Sequence, residues 1–383
     1  MMTKLDLLIA KLCPDGVKYV KIKDAYVRLK GTPITAGKMK EIENSSGDIR
    51  IFAGGKTVIN AFEKDVPNVN ITRVPAVLVQ SRGVIDAVFY DEPFTFKNEM
   101  WAYTTEDATS VKYLYYVLKN NIQQFRDAAS GMGSLPQISL KVTEEFIIPL
   151  PPLEIQKEIV RILDNFTELT AELTTELTAE LTARQKQYMY YRSEILSFRD
   201  ELTTKWLPLS KIADVFRGEY ITKKGTCEGN IPVILGGQEP AYYIDKSNHE
   251  GKIVVIARSG ASAGFVSYWV KPIFITDGFG YKAKTDIIDD KFLYYSLKNI
   301  ESELNAMKRG AGVPHVSGEA LGKIQLPIPC IEEQKRIVAI LDKFDTLTTD
   351  ITSGILVEIE ARRKQYEYYR DKLLTFERKE TEA

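Results

Sequence analysis

From Leu153 to Phe198 the apolar residues recur at helical spacing: Ile155, Ile159, Ile162, Leu163, Phe166, Leu169, Leu173, Leu177 and Leu181. No Gly or Pro interrupts the run, and Pro149, Pro151 and Pro152 precede it, as suits a helix start. At about 1.5 Å per residue this predicts a helix of roughly 69 Å, longer than most single globular domains need. A second stretch, Ile331 to Phe376, carries Ile337, Ile340, Leu341, Phe344, Leu347, Ile351, Ile355 and Ile359 in the same pattern. Two long one-sided helices most simply bury their stripes against each other as an antiparallel pair. Between them the pattern changes to strand-like alternation, at Pro75–Gln80, Ala87–Tyr90, Lys252–Ala257 and Gly264–Tyr268. Short helices are expected at Lys112–Asn120 and Lys291–Asn299.

The two long stretches are copies. Gln156, Asp164, Phe166, Arg184, Lys186, Gln187, Tyr188, Tyr190, Tyr191, Arg192 and Phe198 recur as Gln334, Asp342, Phe344, Arg362, Lys364, Gln365, Tyr366, Tyr368, Tyr369, Arg370 and Phe376, each 178 positions on. The short helices match at 179, so the intervening units share a plan but differ in detail. The expected fold is therefore mixed α+β and pseudo-two-fold, with two similar globular units joined by two long antiparallel helices. The divisions fall at 1–150, 151–199, 200–328 and 329–383. Such a chain presents two related surfaces at a set distance, which suits the reading of two separated half-sites on a duplex.

Within the first long stretch lie three tetrads, Thr170-Ala-Glu-Leu173, Thr174-Thr-Glu-Leu177 and Thr178-Ala-Glu-Leu181. Four residues turn a helix by about 400°, a net drift of roughly 40°. One base pair rotates a duplex by about 35°. A tetrad added or removed would thus keep a terminal unit nearly in phase with a site one base pair further away. The rises differ, about 6 Å against about 3.4 Å, so such a helix lies oblique to the duplex.

Composition narrows the class. Hydrophobic residues make up 44% and charged residues 27%, as in an ordinary globular protein. No apolar run approaches the roughly 20 residues that a spanning helix needs; the longest, Ile253–Ala257, is a buried strand. The first residues lead into an amphipathic stretch, unlike a signal peptide's apolar core, so a cytoplasmic protein without membrane contact is expected. Net charge is −1, which argues against wholesale electrostatic binding of nucleic acid. The units are slightly basic, with 19 Lys+Arg against 17 Asp+Glu in 1–150 and 16 against 15 in 200–329. The helices are slightly acidic, which directs any phosphate contact to the units. Cys13, Cys227 and Cys330 are too scattered for a disulfide framework or a zinc site and are read as packing residues.

Candidate chemistry is mostly negative. Gly54-Gly-Lys-Thr57 resembles the end of a phosphate-binding loop, but position 50 is Arg where the motif needs Gly. Gly278-Phe-Gly280 lacks the long helix that a dinucleotide site requires. Glu250-Gly-Lys252, with Asp245 upstream, has the triplet of metal nucleases but no counterpart in the first unit. His249 and His315 are the only histidines, which leaves little for acid–base chemistry. What remains are paired loops. Gly54, Gly55 and Lys56 answer Gly236, Gly237 and Gln238; Ser81 and Arg82 answer Arg258 and Ser259; Gly131 and Gly133 answer Gly310 and Gly312. Glycines admit a partner close to the backbone, and Lys, Arg, Gln and Ser carry donors for phosphates and base edges. These are the candidate DNA contacts. A second cluster, Tyr188, Tyr190, Tyr191 and Arg192 with Tyr366, Tyr368, Tyr369 and Arg370, has the composition of a protein-docking surface, with packing inside the chain as its alternative.

Taken together, Leu12-Cys-Pro-Asp-Gly-Val17, Pro149-Leu-Pro-Pro-Leu-Glu-Ile-Gln156, Pro327-Ile-Pro-Cys-Ile-Glu-Glu-Gln334 and the tetrads resemble the specificity subunits of type I restriction-modification enzymes over the whole chain. Thr175 departs from the tetrad, which has Ala there. The resemblance implies two target recognition domains, each binding half of an asymmetric bipartite sequence in double-stranded DNA. It implies paired helices that set the spacing and dock two modification (methyltransferase) subunits, and it leaves two restriction subunits open. It also implies a chain that is not itself an enzyme and holds no cofactor or metal, with S-adenosylmethionine, ATP and Mg belonging to the partners. The competing reading is a coiled-coil adaptor whose globular ends bind proteins; it explains the helices but not why matching loops vary.

Overall fold

Strand-like alternation becomes two sheets of the same order, one in each half of a computed structural model that describes residues 2–55, 57–66, 70–130, 135–198, 204–222, 227–235, 239–310 and 312–379. The chain forms two units, 1–176 with 357–383, and 177–356. Each long helix, Leu153–Ile195 and Ile331–Leu374, therefore contributes its first half to one unit and its last half to the other.

In the first unit a four-stranded antiparallel sheet runs in the order Val27–Leu29, Trp101–Thr104, Ala76–Gln80, Asp86–Tyr90. Beside it lies a three-stranded sheet, Val58–Ala61, Ile49–Phe52, Phe94–Phe96, whose last two strands pair in parallel. Every residue of Ala76–Gln80 is buried, as expected of an inner strand covered on both faces. The helix Ala108–Asn120 covers this sheet with Val111, Tyr113, Leu114, Tyr116, Val117 and Leu118 inward. Its N-cap, Asp107, accepts from the amides of Thr109 and Ser110 at 2.8 and 3.1 Å, a cap that contributes about 1 kcal/mol.

The second unit repeats the plan. Its four-stranded sheet runs Ala213–Arg217, Gly278–Ala283, Ile253–Ala257, Val266–Trp269. Its three-stranded sheet runs Tyr242–Ile244, Ile231–Ile234, Phe274–Ile275, again with a parallel pair. Helix Asp290–Asn299 takes the place of Ala108–Asn120 and is capped by Asp289 in the same way. The strands and short helices expected from the sequence are present to within a few residues. Further one- and two-turn helices, Ile122–Asp127 and Glu301–Ala306, follow them.

The long helices are rooted in the two cores. Ile155, Ile159 and Leu163 are fully buried in the first, Ile337 and Leu341 in the second, each burial contributing about 1.5–3 kcal/mol. Asp164 takes the Nζ of Lys112 at 2.8 Å and the hydroxyl of Tyr116; Asp342 takes the Nζ of Lys291 and the hydroxyl of Tyr295, both at 2.7 Å. Within the first unit the start of one long helix meets the end of the other, Phe166 stacking on Tyr369 at 5.7 Å and Thr167 bonding Tyr366. Within the second, Phe344 stacks on Tyr191 at 6.0 Å and Asp345 accepts from Tyr188. These are the same contacts displaced by 178 positions with the helices exchanged, and in both the pairing is antiparallel. The expected burial of the stripe is complete only in the first turns of each helix: Leu173, Leu177, Leu181, Ile355 and Ile359 are half-buried, and Leu169, Leu347 and Ile351 remain exposed, because two helices without a third cover only one face of each other.

In the first unit the segment after the first short helix meets the residues that follow the second long helix. Val17 and Glu377–Lys379 exchange backbone bonds of 2.9 and 3.0 Å, and Gly16, at φ +92°, sits where a Cβ would fall 2.8 Å from the Glu377 carbonyl. The Leu12–Val17 segment is thus a joint that requires its glycine.

Candidate nucleic-acid interface

The paired loops converge in each unit, held by backbone bonds of the same pattern. In the first, the Gly83 amide donates to the Pro136 carbonyl at 2.8 Å and the Ile138 amide to Ser81 at 2.9 Å; in the second, Gly260 donates to Pro314 at 3.0 Å and Val316 to Arg258 at 2.9 Å. Ser130 and Gln137 exchange both backbone bonds, as do Arg309 and His315. Gly83 and Gly260 both adopt positive φ, +77° and +79°, at these crossings. The third loop joins in the first unit, where the Gly55 amide reaches the Arg82 carbonyl at 3.2 Å. Gly54 and Gly55 therefore lie beside Arg82 at the mouth of a cavity of about 550 Å³ whose walls include Met39, Lys97, Glu99 and Leu135.

The candidates fare differently. Arg82 is exposed and its guanidinium makes no ion pair among the described residues. Ser81 is fully buried, with its hydroxyl donating to the Glu99 carbonyl, so its side chain offers a ligand nothing. Arg258 is half-buried and paired with Asp277 at 3.4 Å, and Ser259 donates to the same carboxylate. Gly310 and Gly312 adopt φ of +112° and +90° at the tip of their loop. Lys56, Gly131, Gly133, Gly236, Gly237 and Gln238 lie outside the described residues.

The tyrosine clusters are largely consumed by packing. Tyr188 and Tyr366 bond across the helix pair as above, Arg192 and Arg370 lie over their rings at 5.3 and 5.4 Å, and the same arginines donate to Asn299 and Asn120. Tyr191 and Tyr369 stack on phenylalanines yet stay partly exposed. Tyr190 and Tyr368, 60% and 63% exposed, turn outward at equivalent positions.

Among the described residues the nuclease-like triplet and the two histidines form no catalytic cluster. Lys252 of the nuclease-like triplet pairs with Asp290 at 3.2 Å. Among the described residues no three His, Cys, Asp or Glu side chains gather as metal ligands, and no helix is long and apolar enough to cross a membrane. The perturbed groups are structural. Tyr116 and Tyr295 are raised by burial first and then by Asp164 and Asp342, and burial pushes Tyr103 up to about 12. Of the cysteines only Cys13 packs inside; Cys227 and Cys330 are exposed, contrary to expectation, since each stands in a connection beside a strand or helix and not on its inner face.

The model of the type I restriction modification DNA specificity domain matches this chain twice, over residues 14–183 and 205–361. The EcoR124I/EcoR124II specificity subunit of Escherichia coli is 32% identical over 364 residues, covering 87% of this chain and 88% of its own length. A putative type I restriction enzyme specificity subunit of Haemophilus influenzae is 34% identical over 303 residues, covering 74% and 77%. Among solved structures, a chain described under complex assembly and conformational transition of the type I restriction-modification system superposes with a TM-score of 0.71 at 17% identity, covering 94% of this chain and 98% of that one. The match to the specificity model falls once on each half of the repeat and the first relative spans nearly the full length, so this chain belongs to the family of type I restriction-modification specificity subunits.

Proposed function

We propose that this chain is the sequence-reading subunit of a type I restriction-modification complex, each unit contacting one half of an asymmetric bipartite site in double-stranded DNA. The observation that carries the reading is the repetition of one strand order with different side chains at matching loop positions: Arg82 beside Gly83 in one unit, Arg258 two residues before Gly260 in the other. A conserved scaffold with unlike tips reads two unlike sequences, whereas an adaptor has no need of that difference. The chain carries recognition, and the chemistry resides in partner subunits. The long helices set the distance between half-sites. Tyr190 and Tyr368, exposed at equivalent places, provide docking points for two modification subunits, with restriction subunits joining through them. In this scheme S-adenosylmethionine serves the modification subunits and ATP with Mg the restriction subunits, all in the cytoplasm where the DNA is.

Gel-shift titration tests this. The chain alone binds duplex weakly; with the modification subunit added it binds a subset of sequences tightly, and log affinity falls linearly with log salt. Equal affinity for all duplexes in the presence of the modification subunit refutes the reading.

A further inference from the structure

Strand register identifies two carboxylates as counterparts that no loop motif singles out. Val79 pairs with Trp101 in the first unit and Ile256 with Phe279 in the second, so the residues two positions earlier, Glu99 and Asp277, are equivalent and stand 178 apart. Both lie at the entrance to an inner strand, directly beneath the loops described above. Glu99 accepts from the Nζ of Lys97 at 2.9 Å, and its Oε1 lies 3.5 Å from where a Cβ on Gly54 would be. Asp277 accepts from Arg258 at 3.4 Å and from the Ser259 hydroxyl. Both side chains retain access to solvent, 29% for Glu99 and 25% for Asp277, and among the described residues each pairs with one cation.

A carboxylate on a surface that meets phosphates costs binding energy by repulsion unless it accepts a hydrogen bond there. In the major groove the only donors a base edge offers are the exocyclic amino groups, N4 of cytosine and N6 of adenine, and acidic side chains pair with the former. The geometry points to Glu99 and Asp277 as the specificity-determining acceptors of the two units, each reading one amino-bearing base in its own half-site, with Lys97 and Arg258 holding the carboxylate in place until DNA takes over. This rests on the units being half-site readers. It also explains why the two units place their arginines differently: in the second, Arg258 is spent on Asp277, while in the first Lys97 takes that part and Arg82 stays free.

The test uses the complete chain assembled with its modification subunit and a randomised duplex library. Wild type, Glu99→Gln, Glu99→Ala and Asp277→Asn are each selected for bound sequences. Glu99→Ala and Glu99→Gln are expected to alter preference at a single position of one half-site by roughly 5- to 150-fold, and Asp277→Asn at a single position of the other, with spacer length unchanged. A second arm keeps the wild-type protein and replaces each cytosine or adenine of the selected motif by an analogue lacking the amino group. One analogue per half-site should weaken binding by a similar factor, and that loss should vanish in the matching variant. Motifs unchanged in every variant, with only overall affinity or stability lowered, would mean that these are structural ion pairs and overturn the inference alone. A wild-type complex that selects no bipartite motif overturns the recognition reading and this inference with it.

Discussion

Replacing Gln334 by Leu should destabilise the second unit far more than replacing Gln156 by Leu destabilises the first, although the two glutamines are repeats of one another. Both are buried at the second turn of a long helix. The Nε2 of Gln334 donates to the carbonyls of Pro329 at 2.9 Å and Ile287 at 3.1 Å, and its Oε1 accepts from the amide of Asp289 at 2.8 Å. Asp289 is itself the cap of helix Asp290–Asn299, which presents Lys291 and Tyr295 to Asp342. Leu is of similar size and leaves no large cavity, so the cost is three lost bonds with their backbone partners orphaned. At about 1 kcal/mol each, rising where the orphan is buried, the sum is about 3–4 kcal/mol. Gln156 makes one such bond, Nε2 to Pro151 at 2.7 Å, and its Oε1 is buried without a protein partner among the described residues. Leu there removes an unsatisfied acceptor along with one bond, for a net cost of about 0–1 kcal/mol. Urea unfolding with peptide-resolved hydrogen exchange separates the cases. Gln334→Leu should lower the midpoint of the second unit by about 1–2 M and deprotect 286–299 first. Equal shifts for the two variants, or a larger one for Gln156→Leu, would refute the bond accounting.

Other perturbations test other joints. Glu158, 4% exposed, is held at about 2, first by its bonds from Arg161 and then by Lys4. A depressed carboxylate stabilises the fold above its unfolded value of 4.5 and loses that contribution as pH falls towards 2. Discounted for the exposed cations, wild type should lose about 1–2 kcal/mol more than Glu158→Gln between pH 5 and pH 2 in thermal or urea melts, and parallel curves would contradict this. Removing Thr174–Leu177 shortens the first long helix by about 6 Å and turns it by a net of roughly 40°. Selected sites should change spacer and keep both half-sites, and altered half-sites would count against the helices as a ruler.

The sequence shows the helices and the repeat plainly, because a long apolar stripe and an offset of 178 are local facts about the chain. Asp164 and Asp342 recur for a reason the structure supplies: each anchors the short helix of its unit through a Lys and a Tyr. Side-chain direction at the loops was less legible. Ser81 and Arg82 look interchangeable with Arg258 and Ser259, but the Ser81 hydroxyl is buried against the Glu99 carbonyl and Arg82 stays exposed, whereas Arg258 and Ser259 both turn to Asp277. Glu99 and Asp277 carry no such signal, because neither sits in a glycine motif. They do stand 178 positions apart, the same offset that relates the long helices. The tyrosines announced an interface, and most of it is internal: composition marks aromatic contact without naming the partner.

The most direct measurement is selection of bound duplexes from a random library by the chain assembled with its modification subunit. Two recognition units on a shared pair of helices predict one motif made of two unlike half-sites with a fixed, unspecified spacer. Enrichment of a single contiguous site, of a palindrome, or of no sequence at all would contradict that architecture of recognition.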